Sequence, residues 1–69
     1  MSNREYIGKR IAEIRQANGL SQRALSDLCG VTYQNINKIE LGRYSVGLDV
    51  LSKIINALGY ELRIEKAEG

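Results

Sequence analysis

The chain has no histidine, no proline and a single cysteine, Cys29, in 69 residues. One thiol excludes an internal disulfide, and with no histidine beside it there is no ligand set for zinc. A domain this small draws only modest stability from one core, so a second copy of the chain is the remaining candidate for added support. No metal and no cofactor are expected. No apolar run approaches the ~20 residues that cross a bilayer. No apolar segment of the kind a signal peptide needs follows Met1. The expectation is a cytoplasmic protein without a membrane partner, in a reducing compartment that suits one free thiol. Catalytic residues are expected to be none. There is no nucleophile with a matching base and no phosphate-binding glycine loop, and a chain this short has little room for the ~300 Å³ of a ligand pocket.

Net charge is +2, which neither demands nor excludes a nucleic acid. Its distribution is more telling. Lysine and arginine outnumber aspartate and glutamate seven to four up to Arg43, then fall behind three to four. The first part can face phosphates, where cationic side chains displace condensed counterions; an ordinary solvated surface carries the same charges.

Periodicity places four helices. Ile7, Ile11 and Ile14 mark the first, from about Arg4 to Asn18, with Ser2 and Glu5 as a capping box and Asn18-Gly19 as its stop. Gly8 is out of place inside it, which suggests a close neighbour. Ser21 caps a short second helix, Gln22 to about Cys29, with Leu25 and Leu28 turned inward and Cys29 a small buried apolar residue. Gly30 interrupts the chain. Thr32 caps a third helix, Tyr33 to about Leu41, anchored by Ile36 and Ile39. A fourth, about Leu48 to Leu58, carries the stripe Leu48, Leu51, Ile54, Ile55 and Leu58. From Tyr60 the period changes to two: Tyr60, Leu62 and Ile64 alternate with Glu61, Arg63 and Glu65, as in a half-buried strand. The expected fold is all-α, a four-helix domain over residues 1–59 with a short C-terminal β-strand and tail over 60–69.

The third helix has the most unusual composition. Outside its apolar anchor, Tyr33, Gln34, Asn37 and Lys38 stand at i, i+1, i+4 and i+5, on one outward face. Two short helices joined by a tight turn containing glycine are the minimal helix-turn-helix. An amide side chain offers a donor and an acceptor to the N7 and N6 edge of adenine, and lysine donates to guanine O6 and N7. These four are the candidate base-contacting residues of a double-stranded DNA reader. The competing reading is an ordinary wet helix face.

Here the chain resembles the phage repressor and Cro-type helix-turn-helix proteins, the XRE family. The residues that carry the likeness are Ile11-Ala-Glu-Ile-Arg15, Asn18-Gly19-Leu20-Ser21-Gln22, the set Leu25, Ser26, Gly30, Val31, Ile36 and Ile39, and the exit Ile39-Glu40-Leu41-Gly42-Arg43. The likeness runs from about Tyr6 to Gly59. It implies base contacts from Tyr33, Gln34 and Lys38. Gln22 would bond a phosphate and brace the recognition helix, and Arg43 would contact the backbone; Thr32 is placed with these phosphate contacts. Arg15 and Glu40 match a structural ion pair between the first and third helices. Two departures stand out. The loop before the fourth helix, often proline-bearing in the family, is Val46-Gly47 here. The fifth helix through which many members dimerise is replaced by the strand-like tail, which is similar to the tail of HipB-type antitoxins.

The functional expectation is a sequence-specific transcriptional regulator, a repressor reading the major groove of an inverted-repeat operator as a homodimer joined through Tyr60, Leu62 and Ile64. The alternative is an antitoxin that binds a toxin protein and represses its own operon.

Overall fold

The computed structural model describes residues 2–68; Met1 and Gly69, the outer ends of the two expected segments, lie outside them. Four helices follow in order: α1 (Asn3–Ala17), α2 (Gln22–Cys29), α3 (Tyr33–Glu40) and α4 (Leu48–Ala57). Three begin on a side-chain cap. Ser2, Ser21 and Thr32 accept hydrogen bonds from the backbone N–H groups of Glu5, Ala24 and Asn35. Each cap supplies an acceptor to a first-turn N–H that no helical carbonyl can reach. The Ser2 hydroxyl also donates to the Glu5 carboxylate at 3.1 Å, so the two residues of the expected capping box meet through their side chains, without the bond from Glu5 back to the Ser2 backbone N–H. α4 begins on Gly47 without a side-chain cap.

One or two aliphatic side chains from each helix make the core: Ile11, Leu25, Ile36, Ile39, Ile54 and Leu58. At about 1.5–3 kcal/mol for each fully buried aliphatic side chain, this cluster is the main apolar contribution to stability. Ile14, Leu20, Cys29, Val31, Leu51 and Ala57 pack around it. Helix α1 packs on α3, and α2 packs on both α3 and α4. A polar tie supplements this: the Asn18 side-chain amide donates to the Leu58 carbonyl, linking the end of α1 to the end of α4.

The turn between α2 and α3 depends on Gly30: its N–H makes the last helical bond, to the Ser26 carbonyl at 2.8 Å, and its φ of +77° then turns the chain out of the helix. A side chain there would be strained, because L residues rarely adopt that conformation. Gly8 answers to a different constraint. A Cβ at this position would collide with the carbonyl oxygen of Ile39 and stand 3.0 Å from that of Glu40. The missing side chain is what allows α1 to lie against the end of α3.

Four expectations need correction. Leu28 is 61% exposed, not inward. The buried side of α2 runs through Leu25 toward Cys29, and Leu28 sits on the opposite flank of Leu25, one hundred degrees from Cys29 by helix geometry. Cys29 is accordingly half-buried against the core instead of fully enclosed. Leu48 is 74% exposed, since it lies about 120° round the helix from fully buried Ile54. Finally, the described residues contain no strand: Tyr60–Glu68 has no regular secondary structure. A strand requires a neighbour to complete its ladder, and a single chain supplies none.

Gly8→Ala tests the α1–α3 contact by its sign. Alanine ordinarily gains about 1 kcal/mol over glycine inside a helix. Here we expect a loss of about 1–3 kcal/mol from overpacking. A thermal melt in which the variant is more stable than the parent contradicts the contact.

Candidate nucleic-acid interface

The outward face of α3 rests on a polar knot centred on Glu40. The Arg15 guanidinium meets its carboxylate in a two-pronged pair, Nε to Oε2 at 2.7 Å and Nη2 to Oε1 at 3.0 Å. The third nitrogen donates to the Leu20 carbonyl at 2.8 Å. The two side chains are only 11% and 6% exposed. Hydrogen bonding to Glu40 holds the Arg15 pKa above its ordinary value; burial opposes this, and the charge of Glu40 adds to it. Arginine is therefore charged at any pH the fold experiences. The knot ties α1 to α3, and through Leu20 to the segment leading into α2.

Gln22, the first residue of α2, extends the knot to the surface. Its amide nitrogen donates to Glu40 at 3.0 Å and to the Asn37 side-chain oxygen at 3.2 Å. Both amide hydrogens are thus committed within the protein. Gln22 braces α3 in this arrangement, and a phosphate contact requires exchanging one of those two bonds. Asn37 is engaged in turn. Its oxygen accepts from Gln22 through one lone pair, which orients the amide and leaves its second lone pair and its amide hydrogens for a base edge.

The other expected site residues fall as follows. Gln34 and Lys38 are exposed on α3 and make no side-chain hydrogen bond among the described residues, so Gln34 keeps both halves of its amide and Lys38 its three donors. Tyr33 is half-buried at the first position of α3. The Thr32 hydroxyl accepts from the Asn35 N–H at 3.4 Å, and its own hydrogen remains available. Arg43 is exposed just past α3, its backbone N–H held by the Lys38 carbonyl at 2.9 Å. One feature escaped the sequence reading. Arg23, the second residue of α2, lies with its guanidinium carbon 4.3 Å from the centre of the Tyr33 ring. Ten residues separate the two, and no periodicity pairs them; only the folding of α2 against α3 does.

The arrangement is a short helix, about 12 Å long at 1.5 Å per residue, anchored by Ile36 and Ile39 and presenting donors and acceptors outward. Residues 11–64 match the family model described as helix-turn-helix. The chain belongs to the helix-turn-helix family. It is 42% identical over 55 residues to the HTH-type transcriptional regulator PuuR of Escherichia coli K12, an alignment covering 80% of this chain and 30% of that protein. An uncharacterized HTH-type transcriptional regulator of Methanothermobacter thermautotrophicus is 45% identical over 51 residues, covering 74% of each chain. Among solved structures, the restriction-modification controller protein C.AhdI of Aeromonas hydrophila superimposes with a TM-score of 0.84 at 33% identity, over 88% of this chain and 92% of that one. The chain therefore spans under a third of the length of the E. coli relative and nearly the whole of the controller protein. The four-helix repressor-like fold is that of the family. No described helix is long and apolar enough to cross a membrane.

Breaking the knot strands a charge. Arg15→Met and Glu40→Gln should each cost about 3–5 kcal/mol, and Gln22→Ala about 1 kcal/mol because Arg15 still neutralises Glu40. Urea unfolding measures all three. Unchanged midpoints for both Arg15→Met and Glu40→Gln contradict the pair's role.

Proposed function

We propose that the chain binds double-stranded DNA sequence-specifically through the major groove, with α3 as recognition helix, and acts as a transcriptional repressor. The observation that carries this reading is the division of α3. Ile36 and Ile39 are buried, while Gln34 and Lys38 lie exposed on the other side with their hydrogen-bonding groups unspent. A free-standing helix surface does not need the brace that Gln22 and Glu40 supply; a reading surface does, because base-edge hydrogen bonds tolerate little misplacement. Tyr33, Gln34, Asn37 and Lys38 are the base-contacting set. Thr32 and Arg43 contact phosphates on either side, joined by Gln22 where its amide turns outward. The relatives named as transcriptional regulators support this reading, as does the family; they do not favour the antitoxin alternative. A non-enzymatic, cytoplasmic role goes with it.

The proposal includes a homodimer built on residues 1–59 as the DNA-binding domain and 60–69 as the dimerisation element. Tyr60 and Leu62 lie exposed beside a groove bordered by Tyr6, Ile7, Ile14 and Ile55, and Ile64 is fully exposed near Leu48. These apolar surfaces want a cover. Two tails paired antiparallel about a two-fold axis complete each other's ladders. The same axis sets two α3 helices about one turn, ~34 Å, apart on an inverted repeat.

A duplex selected from a random library supplies the binding site for tests. Gln34→Ala or Lys38→Ala should cost about 1–3 kcal/mol on that duplex and flatten discrimination against scrambled DNA. Arg43→Ala should weaken both duplexes alike, because phosphate contacts position without reading sequence. Equal losses on both duplexes for Lys38→Ala remove it from the base-reading set. For the tail, sedimentation of a chain ending at Gly59 should show a monomer at concentrations where the full chain is a dimer. A truncated chain that stays dimeric locates the interface elsewhere.

A further inference from the structure

We propose that Arg23 determines specificity by stacking on Tyr33, the two forming one pre-ordered recognition unit at the leading end of α3. This rests on the DNA-binding reading above. The guanidinium carbon of Arg23 stands 4.3 Å from the Tyr33 ring centre, well inside the ~6 Å range of a cation–π contact. Arg23 is exposed and Tyr33 half-buried, so the stack sits where the domain meets solvent, outside the aliphatic core.

What remains unused in the pair is the informative part. A guanidinium placed over a ring face spends none of its five N–H donors on hydrogen bonds there. Among the described residues Arg23 makes no salt bridge and no hydrogen bond, although exposed partners are taken by Arg10 and Arg63. The Tyr33 hydroxyl is likewise without a partner there. Stacking therefore orders both side chains without spending the groups that can contact DNA. Tyr33 is the first residue of α3, on the turn that enters a groove first, and α2 in this architecture lies along the backbone. The unit thus offers a phenol to a base edge and, beside it, a cation to the adjoining phosphate. Fixing two rotamers before binding removes their ordering cost from the complex, and removes it only for a sequence whose base edge suits the fixed ring.

Lysine at position 23 keeps the charge and loses the planar stack, which separates the two contributions. The test uses the full chain, the library-selected duplex and its scrambled counterpart. Arg23→Lys should leave the salt dependence of binding unchanged, since the phosphate contact persists. The ratio of affinities between the two duplexes should fall about 2- to 5-fold, up to the worth of an exposed cation–π contact, because an ammonium on a flexible stem orders the ring less well than a planar guanidinium. In a Tyr33→Ala background the same substitution should change that ratio no further. An unchanged ratio for Arg23→Lys overturns the proposal. So does a loss that recurs at full size in the Tyr33→Ala background, which makes the two residues independent. If the parent chain enriches no duplex from the library, the DNA-binding reading falls, and this unit with it; enrichment with an unchanged ratio overturns the unit alone.

Discussion

Glu40 is the point on which the arrangement of the first three helices depends. Its carboxylate receives two bonds from Arg15 of α1 and one from Gln22 of α2, while it belongs itself to α3. An aliphatic core could not do the same job. Ile11, Leu25, Ile36 and Ile54 are held by non-directional packing, which tolerates small rotations and repacking at little cost. A bidentate guanidinium–carboxylate pair is directional and charge-assisted, so it admits one geometry. The pair is expensive to bury and is weak evidence of net stability on its own. Its value here is orientation, because the same carboxylate that anchors Arg15 also holds Gln22, and Gln22 holds Asn37. A mostly buried interaction thereby fixes side chains on the exposed face of α3.

That dependence explains why α3 can be so short. Eight residues give little intrinsic helix stability, since nucleation is costly and propagation brief. Thr32 caps one end, and the Gly42 and Arg43 backbone N–H groups close the other on the Ile39 and Lys38 carbonyls. Ile36 and Ile39 supply the packing. Gly8 contributes by absence: with no Cβ against the Ile39 carbonyl, α1 approaches until Arg15 reaches Glu40. The close approach and the ion pair are two parts of one contact, seven residues apart on the same helix.

Local signals in the sequence were enough for the elements. Ser2, Ser21 and Thr32 announce three helix starts that the structure places there, and the ends differ by about one residue. Ile11, Leu25, Ile36, Ile39, Ile54 and Leu58 stand at core positions because helical period and burial coincide over them. Legibility fails where it depends on which side of a short helix is covered. Leu25 and Leu28 fit one stripe as well as Leu25 and Cys29 fit another, and only the placement of α3 and α4 chooses between them. The Arg23–Tyr33 stack and the Asn18–Leu58 tie are also invisible beforehand, since each joins residues with no shared period. The Arg15–Glu40 pair is legible only through the chain's likeness to the repressor family, since the two stand 25 positions apart with no shared period. The alternation in the tail is genuine in the sequence, but a period of two names a strand's faces and leaves its partner unspecified.

The two surfaces proposed for function are carried by different sides of α1. Gly8, Ile11 and Arg15 form the stripe that meets the core and α3. Ile7, Arg10 and Ile14 border the groove beside the tail, and Ile11 reaches it from the core side. Each member of the second set precedes one of the first by a single residue, so the stripes lie about 100° apart on the helix. A partner chain seated in the groove therefore leaves the α2–α3 face uncovered. The stripes also share one rigid helix. Gly8 leaves no clearance against α3, and Arg15 is held there by two hydrogen bonds to Glu40. A partner that sets the position of α1 consequently sets the position of α3 as well, which is the coupling a two-fold reader of paired half-sites requires.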